Sequence, residues 1–499
     1  MLFTALLVSA LAAPAHAAPV FVKEGGIRLS SAALQGGTVA QIPTMVGPHF
    51  YYIHGGTAVY SAAAAAGGQS FTEDPGVRLS TVTQPQLAIS SVTGLSVLQL
   101  TGGGYRMLYS AISTNPAGNF LYSICSATSA DGLAWANDIG TRVSVNGGAA
   151  FVGYPSLIRL GTGQWRLYYT ANIDGSTITA NRRLFTALSS DQGLNFAAGT
   201  QLSISNGQVG EVAAIQRTDG RIRLFYTAPL TGQTTNSTIL SALATTTDVD
   251  GSLFARESAL PPRLSTDSAA GFLSNPYVLR STETWRWKLY YNYTPFAAGV
   301  STADVFSASA FAPDPVSMSP SSVFRTNGAV TFTVSGENFS GGGMGFVLSH
   351  GGVNVPGTPV SATDDQTVSV SFDMTNRELG FWDLTVTNAN GIAGTLASAL
   401  KVDFAGGTVR MTDNLIRPRD GTRTKAEVMT FNDGHLTVKV YTLTGGLVAT
   451  LFDSYAPAGT TTLFWDGKTA GGHTVASGLY LLRAVGQKID SKEKIAVIK

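Results

Sequence analysis

The first 310 residues alternate short apolar or aromatic runs with turns rich in Gly, Asn and Asp. The most regular runs are His49–Ile53, Tyr105–Tyr109, Trp165–Tyr169, Ile222–Tyr226 and Trp287–Tyr291. Each is preceded by an apolar run and followed by a third run in which small and large residues alternate. Runs of this length, rich in β-branched and aromatic residues, predict strands rather than helices.

A fourth run carries the pattern Gly-x-Arg-Leu-Ser or a close variant of it. Its copies are Gly26–Ser30, Gly76–Ser80, Gly140–Ser144, Gly199–Ser203 and Pro261–Ser265. The copies start 50 to 64 residues apart, so one supersecondary unit is repeated along the chain. Four strands in a unit of about 60 residues are typical of a β-propeller blade.

The order of the runs also predicts how the ring closes. The fifth unit has no Arg-Leu-Ser run after Val305–Ala308, whereas the copy at 26–30 precedes every other run. We therefore expect Ile27–Ser30 to pair with Val305–Ala308 as the outer strand of the last blade, which leaves no exposed sheet edge. This gives a five-bladed β-propeller over residues 20–311.

Two further β-rich segments follow a Pro-rich stretch, Ala312–Pro315, which is typical of a linker. Residues 316–402 contain Val330–Phe339 and Gly380–Gly391 and resemble the IPT/TIG immunoglobulin-like domains. Residues 413–499 contain Phe464–Gly467 and Ala476–Arg483 and resemble the FlgD-type immunoglobulin-like domain of exported bacterial proteins. The fold class predicted for the whole chain is therefore all-β: the propeller and two immunoglobulin-like β-sandwiches.

Composition and charge narrow the setting in which the protein works. Only 13% of the residues are charged and the net charge is +1, which does not favour nucleic acid as a partner. Residues 1–17, with the apolar run Leu2–Ala13 and the small residues before Ala17, predict a signal peptide, so we expect a secreted or cell-surface protein with no transmembrane segment. Cys125 is the single cysteine and predicts a buried small side chain, not a nucleophile.

Ligands of propellers bind at a mouth of the central channel, which the first strand of each blade lines. The strand heads are Gln41–Pro43, Gly94–Leu95, Tyr154–Pro155, Glu211–Val212 and Asn275–Pro276. The blade count and strand sequences over 20–311 resemble the five-bladed glycosidases, the superfamily of family 43 arabinanases and xylosidases and family 32 invertases. This resemblance implies a polysaccharide or oligosaccharide as the partner, with Gln41, Tyr154, Asn275 and His54 as candidate substrate contacts.

Glycoside hydrolysis uses two carboxyl groups on opposite sides of the scissile bond. The resemblance places the family's general acid at Glu211, on the first strand of the fourth blade. At the two other carboxylate positions the chain has Ile42 and Tyr154, neither of which can act as a base. Hydrolysis would need a different acid pair, with Glu211 as candidate acid and a loop carboxylate as its partner. The possible partners are Glu73, Asp74, Asp174 and Asp267.

Three functions remain open on the sequence. The first is an exported protein that recognises carbohydrate through a glycosidase-like propeller and contacts cell-surface components through its sandwich modules. The second is an active glycoside hydrolase with a non-standard acid pair, and the third is a structural or adhesive surface protein. Glu211 itself fits either a ligand contact or a buried ion pair. His49 and His54 lack a third ligand at metal spacing, so we expect no metal ion and no other cofactor.

Overall fold

The protein is described here from a computed structural model. The described residues are 21–30, 41–46, 49–65, 68–80, 83–84, 87–144, 150–172, 174, 176, 178–204, 208–229, 234, 236–245, 248, 250–257, 262–266, 270–280, 287–296, 304–310, 312–324, 328–339, 343–362, 366–389, 391–403, 407–486 and 488–499. The expected signal peptide lies outside them. Within these ranges no helix has the length and apolar character of a membrane crossing.

The propeller is built from five sheets, four made of consecutive strands and the fifth completed by the first strand of the domain. After β1 (Phe21–Lys23), the first blade contains β2 (Gln41–Val46), β3 (His49–His54), β4 (Ala58–Ala64), β5 (Phe71–Glu73) and β6 (Leu79–Ser80). The second blade follows β7 (Thr83–Gln84) and contains β8 (Leu87–Gln99), β9 (Tyr105–Thr114), β10 (Phe120–Ser129), β11 (Ala136–Asn137) and β12 (Val143–Ser144).

The remaining three blades repeat the same order. The third contains β13 (Val152–Arg159), β14 (Trp165–Asn172), β15 (Arg182–Ser189) and β16 (Thr200–Gln201), with a 3₁₀ turn at Thr179–Asn181. The fourth contains β17 (Val212–Gln216), β18 (Ile222–Ala228), β19 (Thr238–Ala244), β20 (Phe254–Arg256) and β21 (Leu264–Ser265). The fifth contains β22 (Gly271–Arg280), β23 (Trp287–Pro295) and β24 (Asp304–Ala310).

The ring closes as the repeat order predicts. The innermost strands β2, β8, β13, β17 and β22 contact one another in that order, and β22 returns to β2. In the last blade β1 pairs with β24, with Phe21 opposite Ala310, and Leu29 forms a further bridge to Val305. Closure through the N-terminal segment is therefore confirmed. The larger part of the pairing comes from Phe21–Lys23, which lies before the repeated motif.

The Arg-Leu-Ser run was predicted to form the whole outer strand of a blade. In the structure it forms only the second half of that strand. In the first blade both β5 and β6 pair with β4, and a bend separates them. Gly76 takes a left-handed backbone at this bend (φ 87°), and Arg78 donates to the Gly76 carbonyl at 2.9 Å. Leu79 is buried. The motif thus encodes a bend that is held by its arginine and anchored by its leucine.

Side chains of the second strands fasten most blades to the next. Their donors reach turn carbonyls between the third and fourth strands of the neighbouring blade. These bonds are Tyr51 to Gly132, Tyr168 to Gly251 and Tyr290 to Gly68, each 2.8 Å, and Arg106 to Gln192, 2.6 Å. The tyrosines and the arginine that recur in the second strands therefore have a structural role at these positions.

The rest of the chain forms two β-sandwich modules, so the all-β fold class is confirmed. The first contains β25 (Asp314–Ser319), β26 (Ser322–Phe324), β27 (Ala329–Glu337), β28 (Gly345–His350), β29 (Val353–Ala362), β30 (Thr367–Asp373), β31 (Gly380–Thr387) and β32 (Ala393–Asp403). These eight strands enclose one hydrophobic core that includes Trp382. β25 begins at Asp314, inside the stretch that the sequence predicted to be a linker.

The last module consists of a three-stranded and a five-stranded sheet around a second core. Its strands are β33 (Thr408–Thr412), β34 (Leu415–Ile416), β35 (Thr424–Thr430), β36 (Gly434–Thr442), β37 (Leu447–Ala456), β38 (Gly459–Trp465), β39 (Gly478–Gly486) and β40 (Ile489–Val497). A 3₁₀ turn lies at Pro418–Asp420. Trp465 is buried in this core against Tyr480.

Buried charges join the first sandwich module to the fourth and fifth blades. Asp314 accepts a hydrogen bond from Arg223 at 3.1 Å and lies 3.3 Å from a terminal nitrogen of Arg217. Glu337, whose side chain is 1% exposed, accepts bonds from Arg280 and from the Trp287 indole. The last blade has no turn between its third and fourth strands, because the chain leaves here for the module. Asp314 therefore takes the role that turn carbonyls have in other blades.

Candidate functional site

The channel strands have an irregular backbone at the predicted strand-head positions, which in β8 and β22 lie inside the strand and not at its start. The ladder shifts register at Thr93/Leu95 in β8, at Gly153/Ser156 in β13 and at Ser274/Tyr277 in β22. At these bulges Tyr154 and Asn275 have positive φ angles of 54° and 48°. Bulges re-aim side chains, and a left-handed backbone at a bulky residue such as tyrosine is strained. Such strain concentrates at functional positions, so these strand heads are where a site is expected.

The strand heads enclose a cavity of about 140 Å³ at the channel mouth. Its lining includes Gly94, Tyr154, Glu211 and Asn275, contributed by four different blades. Gly94 is required there, because a Cβ atom at this position would lie 2.9 Å from the Tyr154 ring. The structure thus brings together three of the predicted site residues, which are far apart in sequence.

Glu211 is held by one side chain of its own blade. The Thr227 hydroxyl donates to Glu211 Oε2 at 2.6 Å, and the Glu211 backbone N–H donates to the same hydroxyl at 3.0 Å. Gly210 allows this approach, because a Cβ there would lie 2.2 Å from the Thr227 oxygen. No lysine, arginine or histidine among the described residues is within ion-pair distance of Glu211. The predicted alternative of a buried salt bridge therefore receives no support from the described part of the chain.

Tyr154 stands where the glycosidase resemblance of the sequence implies a carboxylate, and it supplies a different chemistry. Burial, together with the nearby Glu211 charge, raises the pKa of the phenol to about 12, although Arg182 opposes this shift. The phenol therefore stays protonated and can donate a hydrogen bond. Its ring packs against Phe151 with centroids 5.3 Å apart. Tyr122 contacts the other side of Phe151, which extends the aromatic rim towards the second blade.

The loop carboxylates considered as partners of Glu211 have other contacts. Asp74 accepts a bond from Ser61 at 2.6 Å and pairs with His49 at 2.8 Å. Asp174 accepts bonds from Ser176 and Asn181. Asp267 lies outside the described residues. Among the described residues that line the cavity, Glu211 is the single carboxylate, and Glu73 lies on the outer strand β5.

The two other predicted substrate contacts are Gln41 and His54. The Gln41 backbone lies at the head of β2, but its side chain is outside the description. His54 ends β3, is buried, and packs edge-on against Tyr60 rather than lining the cavity. Thr227 and Arg182 were missed by the sequence reasoning. Thr227 directly follows the Ile222–Tyr226 run, and no spacing pattern marks either residue.

The site offers an acceptor, a donor, an amide and aromatic faces in a small space. The Glu211 carboxylate can accept bonds from hydroxyl groups, and the Tyr154 phenol can donate them. The Asn275 amide nitrogen already donates to Asn292 Oδ1 at 3.2 Å and to Ser274 Oγ at 3.3 Å. Nowhere in the described chain do three or more His, Cys, Asp or Glu side chains form a possible metal site. Among the described lining residues Glu211 is the single carboxylate, whereas glycoside hydrolysis uses two carboxyl groups.

Comparisons with known proteins place these observations in context. No protein-family model matches the chain, and no curated protein matches it either. Solved structures similar to it include a thermostable family-43 glycoside hydrolase, with 11% identity, a TM-score of 0.41, and coverage of 56% of this chain and 90% of the other. An α-L-arabinofuranosidase from Lactobacillus brevis has 12% identity and a TM-score of 0.43, covering 57% and 90%. An endo-arabinase from Bacteroides thetaiotaomicron has 11% identity and a TM-score of 0.43, covering 57% and 97%.

Proposed function

We propose that the protein is an exported carbohydrate-binding protein whose propeller binds a polysaccharide or oligosaccharide at the channel mouth. The observation that carries this proposal is the carboxylate of Glu211, which lines the cavity beside Tyr154 and Asn275 and has no ion-pair partner among the described residues. A half-buried carboxylate needs further hydrogen bonds, and sugar hydroxyls supply them. The aromatic rim offers apolar faces for the sugar ring.

In this proposal the sandwich modules hold the propeller at a surface. The IPT/TIG-like and FlgD-type immunoglobulin-like resemblances of 316–402 and 413–499 support a role in display or attachment. The signal-peptide pattern of residues 1–17 supports export, to a secreted or cell-surface location. The buried contacts of Asp314 and Glu337 support a fixed orientation of the first module on the propeller. Cell-surface components are the partners we propose for the modules.

The test replaces Glu211 by Gln, which keeps the shape of the side chain and removes its charge. The full chain is screened against a panel of plant and bacterial polysaccharides, with binding followed by calorimetry and product release by chromatography. We expect binding without product release. Glu211→Gln should weaken binding about tenfold or more, the value of hydrogen bonds to a charged group, and leave the melting temperature unchanged.

Glu257→Gln provides the matched control. Glu257 is a buried acid of the same blade, paired with Arg223 at 2.8 Å and remote from the cavity lining. Its replacement should cost about 3–5 kcal/mol of stability and leave the glycan affinity of the folded protein unchanged. If Glu211→Gln behaves like Glu257→Gln, the carboxylate is structural and the proposal fails. Product release that is lost in Glu211→Gln would establish the hydrolase alternative instead.

A further inference from the structure

Arg182 is a half-buried arginine beside the aromatic residues of the channel mouth, and it has no carboxylate partner among the described residues. Most other buried or half-buried arginines of the propeller donate to backbone carbonyls or pair with carboxylates, and Arg166 donates to the Thr186 hydroxyl at 3.4 Å. The carbonyl and carboxylate cases include Arg28, Arg78, Arg106, Arg142, Arg183, Arg217, Arg221, Arg223 and Arg280. Arg182, at the start of β15, forms no ion pair with any described residue. Its Nε atom is buried without a hydrogen-bond partner. Its guanidinium is hydrogen-bonded to the Tyr154 phenol oxygen, but no described carboxylate balances its charge. A half-buried cation without such a partner is costly unless a ligand completes it.

The position of Arg182 relates it to the channel mouth. Its guanidinium carbon lies 3.9 Å from the centroid of the Phe151 ring and 5.8 Å from that of Tyr154, which lines the cavity. Stacking on an aromatic face fixes the plane of the guanidinium and leaves its edge for a ligand. Glu211 acts on the same phenol, yet it does not pair with Arg182. The site therefore presents a cation and an anion that remain apart.

We propose that the glycan bound at this mouth is acidic, and that Arg182 binds the carboxylate of a uronate residue while Glu211 accepts its ring hydroxyls. This inference rests on the proposed function and specifies its ligand. A planar guanidinium matches a planar carboxylate through two parallel hydrogen bonds, which a neutral hydroxymethyl group cannot form. A uronate ring carries its carboxylate and its hydroxyls on different edges, as the separated Arg182 and Glu211 require. A ligand carboxylate also balances the Arg182 charge.

The experiment compares acidic trisaccharides with their methyl esters. Trigalacturonate, trimannuronate and triglucuronate are each titrated into the full chain by calorimetry, beside the methyl ester, which lacks the negative charge and carries a methyl group in its place. We expect at least one uronate to bind about tenfold or more tightly than its ester. Arg182→Gln should abolish this preference and leave the affinity for the ester unchanged, so that the ester also reports that the site is folded. Arg182→Lys should retain part of the preference, because it keeps the charge and loses the planar fork.

Arg159→Gln is the control, since Arg159 is an exposed arginine at the opposite end of the same blade's channel strand. It should keep the full preference for the acid. Equal affinity of the native chain for acid and ester, a preference that survives Arg182→Gln, or no binding of any uronate would overturn the proposal. Binding of neutral glycans that depends on Glu211 but not on Arg182 would leave the carbohydrate-binding function standing and refute the acidic ligand alone.

Discussion

The buried contacts of Glu337 predict that the first sandwich module stabilises the ring closure. Its carboxylate accepts four hydrogen bonds from the propeller: two from Arg280, one from the Trp287 indole at 3.0 Å and one from the Thr218 backbone N–H at 2.8 Å. Glu337→Gln keeps the size of the side chain but turns one oxygen into a donor that faces other donors. Arg280 then loses its carboxylate partner at an interface where Glu337 is only 1% exposed.

The expected cost follows from the exposure of the two partners. Removing one member of a buried ion pair costs about 3–5 kcal/mol. The Arg280 side chain is 30% exposed, so water compensates part of the lost pairing and the lower end, about 3 kcal/mol, applies. With a urea dependence of about 3 kcal/mol per molar, this loss lowers the unfolding midpoint by about 1 M.

Urea unfolding of the full chain, followed by tryptophan fluorescence and circular dichroism, measures this change. Trp287 lies at the interface and donates to Glu337, so its fluorescence reports the release of the module. Glu378→Gln is the control in the same module, because the Glu378 side chain is 67% exposed and its loss should cost less than about 1 kcal/mol. If the two variants have the same midpoint, the module does not stabilise the ring and the reasoning is wrong.

Two further predictions concern the propeller itself. Tyr168→Phe should lower the stability by about 1–3 kcal/mol, because the Gly251 carbonyl loses its hydrogen-bond donor. Tyr226→Phe is the control and should leave the stability unchanged, because that buried hydroxyl has no partner in the described chain. Equal effects of the two variants in thermal unfolding would contradict the role of Tyr168 in joining the blades. Burial alone would raise the pKa of Glu257, but Arg223 and a serine hydroxyl hold it below its ordinary value of 4.5. The ionised Glu257 therefore contributes its full stability to the fold above about pH 5.5, and this stability is lost as the pH falls below 4.5. Glu257→Gln should make stability depend less on pH in the acid range, and an unchanged acid dependence would contradict this prediction.

The blades could be predicted because their signals are local. The run Trp165–Tyr169 opens β14, and Ile222–Tyr226 opens β18. Every residue of these two strands is buried, so both faces pack against other side chains. Burial of both faces and pairing on both edges select aromatic and β-branched residues wherever a second strand occurs. The split outer strand could not be predicted, because the bend at Gly76 depends on where its arginine side chain finds carbonyls. A left-handed glycine within an apolar run gives no periodic signal.

The candidate site was predictable in position but not in chemistry. The strand-head rule identified Glu211, Tyr154 and Asn275, because every blade presents the same point of its first strand to the channel. Thr227 and Arg182 come from second and third strands, and their approach to the cavity depends on bulges and on blade-to-blade packing. Such distances are set by contacts between segments far apart in sequence, which a local pattern does not encode.

The ring closure shows why the junction before the last blade uses a side-chain carboxylate where the other junctions use a turn carbonyl. Four junctions use a tyrosine or arginine that donates to a turn carbonyl, and the turn exists because one blade supplies both its third and fourth strands. At the last blade those strands come from opposite ends of the domain, so no turn carbonyl is available. Asp314 supplies a carboxylate in its place, and buried Arg217 and Arg223 bind it. Asp314 can occupy this place only because the chain continues beyond β24 into the first sandwich module. That module therefore contributes to the structure of the propeller as well as following it in sequence.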